Sequence, residues 1–265
     1  MPLHAGLEWQ VKGNKTEKRE YNCKEKLDIK MRIYFTLLGL ILISLVKAEE
    51  SKNEVGKQSW LTYSQGLVQN ARFAFSSDFA WRQEWALEDW TRLHARATVK
   101  YNFYETVYPL AQFGTFYNIT DIGNALELRP VVGVQAKWPD LTYFSLDNTM
   151  RIENRNVFVE DLNEWEGSLR LRYRLKLISS EIFTNAQYKL SLEIWDEYFT
   201  SLNNSTFYSN QNRLGVGLKL RDKSRHNIHL NYFVQLDKPS RVSPRELEQH
   251  IIQLIFTNKN AAFTD

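Results

Sequence analysis

Arg170, Arg172, Arg174 and Lys176 stand at every second position of one short stretch. On an extended strand they share one face and make a cationic stripe. The same alternation carries Arg96, Arg129, Arg151, Glu153, Arg155, Glu193, Glu197 and Arg213. Glu127, Glu153, Glu193, Glu197 and Asp237 can meet these arginines across or along strands. Such a set supports ion pairing and, in a pore, a weakly selective aqueous path. It does not support covalent catalysis. No GxSxG, HExxH, P-loop or dinucleotide-binding glycine motif is present. Gly215-Val216-Gly217 lies inside a strand, where glycine marks close packing or a bend. His226 and His229 have no third ligand near in sequence, so no metal and no cofactor is expected. His94, His229 and His250 are the histidines well inside strands, and no serine and aspartate are placed beside them by spacing. No catalytic residue is assigned.

The elements that position these residues alternate with period two. Leu169, Leu171, Tyr173, Leu175 and Leu177 oppose Ser168 and the cationic row. Phe144, Leu146, Met150 and Ile152 oppose Ser145, Asp147, Thr149, Arg151, Glu153 and Arg155. Leu214, Val216, Leu218 and Leu220 oppose Arg213, Gly215, Gly217 and Lys219. A helix would mix such sets around its circumference, whereas a strand separates them. Eleven strands are predicted, over 59–68, 72–82, 91–101, 106–118, 125–137, 141–155, 165–178, 186–199, 211–221, 226–237 and 248–257. Several reach the roughly 9–11 residues of a tilted membrane-crossing strand.

Alternation leaves open which face is inside. In a soluble barrel the apolar face makes the core. In an outer-membrane barrel it meets lipid, and the charges line the lumen. Strand length favours the second arrangement. So does an expected alternation of tight turns (70–71, 102–105, 139–140, 222–225) with longer loops (118–124, 156–164, 201–210, 238–246). Aromatics near strand ends also favour it: Trp60, Trp81, Trp85, Trp90, Trp138, Trp165, Tyr198 and Phe199 are expected to form interfacial girdles.

The chain has 265 residues, a formal charge of +3 and one cysteine, Cys23. That excludes a disulfide scaffold, a cysteine-based metal site and a strongly basic nucleic-acid binder. Ile33–Val46 is a short apolar core behind Lys30 and Arg32, closed by Val46 and Ala48. This is the pattern of a cleaved signal peptide over 31–48. Residues 1–30 read as an over-extended start, with Met31 the initiator. Removal of 1–48 leaves 25 Lys and Arg against 26 Asp and Glu and no cysteine. The remainder divides into a tail at 49–58, one β domain at 59–258 and a tail at 259–265.

The runs RIENR (151–155), LRLRYRLKL (169–177), WDEYF (195–199) and NQNRLGVGL (210–218), with the opening SWLTYSQGLVQNARFAFSSDFAWR (59–82), resemble the bacterial domain of unknown function 2490 family (DUF2490). The similarity is one of order and spacing across nearly all of 59–257. It implies an exported, barrel-like protein of the Gram-negative outer membrane, without an assigned activity. Arg129, Arg151, Glu153, Arg155, Arg172, Glu197, Asn212 and Arg213 match the family's pattern, and a structural lumen network is expected of them. Outer-membrane barrels usually end on a strand-terminal aromatic, whereas here Thr257–Asp265 follow Ile252, Leu254 and Phe256.

The expectation is therefore an all-β, antiparallel up-and-down transmembrane barrel. Eleven is an odd number where bacterial barrels are usually even, so ten or twelve strands is the better count. The expected role is a small passive channel or envelope scaffold. Its partners would be outer-membrane lipid, the outer-membrane assembly machinery and small solutes, with no nucleic acid. Two rivals stand beside it: a barrel enzyme acting on envelope lipids, and a soluble periplasmic barrel binding an apolar ligand.

Overall fold

The structure is a computed structural model that describes residues 55–85, 90–120, 123–139, 141–185, 187–203, 210–222, 226–238 and 246–259. The expected signal peptide and the stretch before it lie outside these residues. Twelve strands form among them: β1 (Gly56–Gln69), β2 (Phe73–Glu84), β3 (Trp90–Tyr101), β4 (Val107–Thr120), β5 (Gly123–Lys137), β6 (Phe144–Val159), β7 (Glu164–Ser179), β8 (Phe183–Thr184), β9 (Tyr188–Ser201), β10 (Asn210–Asp222), β11 (His226–Lys238) and β12 (Glu246–Lys259). β8 is a two-residue rung within the β7–β9 connection. The other eleven pair in chain order into a closed ring. Asn70 Oδ1 accepts from the backbone N–H groups of Arg72 at 2.9 Å and Phe73 at 2.8 Å, which folds the β1–β2 turn on itself. Asn163, at φ 50°, supplies the left-handed residue of the β6–β7 turn.

The odd count is real, and the preference for ten or twelve strands is corrected. In a meander each strand reverses the last, so an eleventh runs the same way as the first. The closing pair β1–β12 is accordingly parallel, with Trp60 opposite Gln253, while every other neighbouring pair is antiparallel. β1 therefore starts at one rim and β12 finishes at the other. The alternation of short turns with long loops is also corrected. Connections at the Asn70 rim span 70–72, 102–106, 138–143, 180–187 and 223–225; those at the Asn163 rim span 85–89, 121–122, 160–163, 202–209 and 239–245. Neither set is the longer. Polar residues read as loop, such as Asn118 and Asn156, stay in the ladder opposite Ala125 and Leu128 or Gly167. Near a polar interior, polarity does not mark the end of a strand.

The two faces of the sheet are sorted by polarity, with the ionic face inside. Arg151, Glu153 and Arg155 on β6 are buried, while Met150 and Ile152, which alternate with them, are exposed on the outside. On β7, Leu175 is 38% exposed and Arg170 only 8%. Leu61, Phe79, Phe113, Val132, Leu218, Leu230 and Ile252 continue the outer apolar belt around the ring. Aromatics collect at its margins. Phe73, Tyr101, Phe103, Tyr104, Trp138 and Tyr143 lie at the Asn70 rim; Trp85 and Trp165 lie at the other. Three expected girdle members are not there. Trp60, Trp90 and Phe199 occupy inward positions of their strands. Asp196 is the counter-example on the outer face, standing between Leu175 and Leu214.

Candidate functional site: the lumen

β5, β6, β7 and β9 bring the expected arginines and glutamates onto one wall, because residues two apart on neighbouring strands stack into cross-strand ladders. Glu127 is fully buried and accepts from Arg129 Nε and Arg155 Nε, both at 2.7 Å, with Arg155 Nη2 on its second oxygen at 3.0 Å. Glu153 receives Arg170 Nε at 3.1 Å and Arg172 Nη1 at 3.2 Å, with Arg129 Nη1 at 3.7 Å. Glu197 takes a two-pronged contact from Arg172, Nε to Oε1 at 2.6 Å and Nη2 to Oε2 at 2.8 Å, and Arg151 approaches at 3.4 Å. The result is an alternating chain from Arg155 through Glu127, Arg129, Glu153, Arg172 and Glu197 to Arg151. Paired forks of this kind are strong and directional. Nearer the Asn70 rim, Glu193 receives Lys176 Nζ at 2.9 Å, with Lys219 at 3.6 Å and His229 at 3.8 Å.

The facing wall, from β11 through β12 to β1, is amide and aromatic, and Trp195 of β9 packs onto it. Trp60, Trp195, Phe233 and Ile251 form a buried cluster, with ring centroids 5.0 Å apart for Trp60–Phe233 and 4.9 Å for Trp195–Phe233. Register places Gly215 on the inward face opposite Trp195, where a Cβ would strike the Trp195 ring. Trp60 Nε1 donates to Gln58 Oε1 at 2.7 Å; Gln58 donates to Gln249, which in turn donates to Glu84 at 3.3 Å. Arginines cap the inward-facing rings around the lumen. Arg82 sits 3.8 Å above Trp60, Arg129 4.0 Å above Phe116, and Arg170, Arg172 and Arg213 each within 5 Å of Phe199. Between the walls lies a cavity of about 680 Å³.

All eleven residues expected of a lumen network point inward. Ten line the cavity, and Glu153 lies behind them. Arg96 stands apart from the chain of pairs, donating to Asp78 at 2.8 Å. Arg174 lies across the strand pair from Glu197 without a hydrogen bond to it. Asn212, grouped with this network by resemblance, is corrected: it shares the outward register of Tyr198 and Leu214. Sequence reasoning named Glu127 as a possible partner of the arginines but did not place it among the eleven lumen residues, although it is the best-buried member. It also left out the aromatic half of the lumen, since Trp60, Trp195 and Phe199 look like lipid-facing or girdle residues. Of the histidines, His94 is inward and 3.2 Å from Asp78, and its Nδ1 is buried without a partner. His229 is inward beside Glu193, whereas His250 is outward and pairs with the Tyr232 hydroxyl at 2.6 Å.

The family described as "Protein of unknown function (DUF2490)" matches residues 57–243, most of the barrel. The chain belongs to the DUF2490 family. No curated protein matches it. Among solved structures, this DUF2490 barrel is similar to the beta domain of the Bordetella autotransporter Brka, at 9% identity and a TM-score of 0.44, covering 77% of this chain and 96% of that one. It is also similar to the translocator domain of the autotransporter NalP from Neisseria meningitidis, at 11% identity and a TM-score of 0.42, covering 78% and 91%.

Proposed function

We propose that this DUF2490 protein is an integral β-barrel of the bacterial outer membrane whose lumen gives small solutes, anions before cations, a passive path. The observation that carries this reading is the inverted polarity of the sheet. A closed ring with leucine, isoleucine and phenylalanine outside and buried arginines inside needs hydrocarbon around it, and closure removes every unpaired strand edge from that environment. Aromatic clusters at the two rims support the same reading. The preference for anions follows from the lining. Twelve arginines and lysines border the cavity among the described residues, against Asp78, Glu193 and Glu197. The described interior residues are engaged in ion pairs and ring packing, which supports a conducting or scaffolding role.

Two measurements test it. Folded protein in detergent is expected to migrate differently on a gel before and after boiling and to fractionate with outer membranes. In planar bilayers under a potassium chloride gradient, the reversal potential is expected to have the sign of chloride preference. Soluble recovery without detergent sinks the membrane reading, and a cation-selective current sinks the anion preference.

A further inference from the structure

The lining does more than carry a diffuse positive charge. Arg82, Arg92 and Arg213 come from three different strands (β2, β3 and β10), and they converge at the level of Trp60. Arg82 lies flat on the Trp60 ring at 3.8 Å, and the Arg213 guanidinium is 5.3 Å from the same ring. Arg213 is held by Gln235, donating from Nε at 2.8 Å, and Arg92 Nε is held by Asn118. Among the described contacts, amides and ring faces orient these forks. Arg82 makes no hydrogen bond or ion pair among the described residues, and its Nε is buried without an acceptor. The charges that act on it most are Arg92, Arg213, Arg129 and Arg96, all of its own sign. Glu84, a carboxylate of this level, is already engaged by Trp90 and by Gln249. Among the described residues Arg82 is thus a buried donor without an acceptor, ringed by like charges, and marks a place for a counter-charge. All three forks border the same cavity, which is roomy enough for a molecule of several non-hydrogen atoms.

We propose that Arg82, Arg92 and Arg213 form a binding site for a small oxyanion bearing two or more negative charges. Carboxylate and phosphate oxygens both match the fork geometry of arginine. The Trp60 face holds Arg82 in place, and its edge N–H groups meet the ligand. This rests on the lumen reading above and deepens it, since a retained ligand separates a selective site from a merely basic bore.

The test uses the whole chain folded in detergent, so it reads binding whether or not the barrel conducts. Citrate, pyrophosphate and acetate are titrated by calorimetry. Citrate or pyrophosphate is expected to bind at least tenfold tighter than acetate, with affinity falling as salt rises. Arg82→Gln is expected to weaken that binding at least tenfold, while Lys189→Gln at the rim leaves it unchanged. Citrate binding alone assigns the group as carboxylate and pyrophosphate binding alone as phosphate; either supports the site. Should Arg82→Gln fail to fold, the wild-type protein still decides the matter, because a ligand of the folded state raises its thermal midpoint in a dose-dependent way. Neither anion binding, or equal affinity in Arg82→Gln and wild type, overturns the proposal.

Discussion

Glu127 is the residue on which the charged wall turns. It is fully enclosed and holds two arginines that are themselves buried. Glu127→Gln leaves both guanidinium groups short of a counter-charge, a loss of about 3–5 kcal/mol for a buried pair broken from one side. The expected outcome is a clearly lower midpoint for loss of the heat-resistant gel band, with the fold retained at low temperature. Asp196 asks the opposite question, since it faces outward between two leucines. Against hydrocarbon, Asp196→Leu is expected to stabilise the barrel by about 1–2 kcal/mol, less than the cost of an outward lysine or arginine at mid-depth. Against water the same change gains nothing, so urea titration of the two proteins in lipid vesicles decides between the environments.

The strands of this barrel are legible in the sequence because each carries a two-residue period, and every barrel strand lies where that period puts it. What could not be read was the aromatic part of the interior and the choice of ion-pair partners. β9 shows why. Its run Trp195-Asp196-Glu197-Tyr198-Phe199 places Trp, Glu and Phe inward and Asp outward, so residue type alone contradicts the facing that its pairing with β7 and β10 imposes. The ion pairs were legible in kind and not in partner. Arg172 meets both Glu153 and Glu197, which come from the strands on its two sides, and only the register chooses them. A substitution midway along β6 tests the facing directly. Ile152 is 40% exposed on the outer face. Ile152→Arg is expected to cost about 2–4 kcal/mol in a bilayer. Such a change is close to neutral on a wetted surface. The readout is the fraction folded into vesicles at rising urea.

At the scale of the whole molecule, the ring combines a neutral, aromatic wall with an ionic one, so the passage between them has a sided lining rather than a uniform one. The rims are also distinguishable by experiment. The only cysteine of the chain, Cys23, precedes the expected cleavage site. Ala71→Cys in the β1–β2 turn and Leu162→Cys in the β6–β7 turn therefore introduce single reporters at opposite rims. In intact cells a membrane-impermeant thiol reagent is expected to label one and spare the other. Labelling of both, or of neither until the cells are broken, contradicts a fixed transmembrane orientation.

The parallel seam between β1 and β12 makes the barrel a one-way thread. A ring with an even number of strands returns both loose ends to one rim, but eleven strands bring Gly56 and Lys259 to opposite rims. In the membrane placement proposed above, whatever is joined to the chain ahead of β1 is thereby kept apart from whatever follows β12.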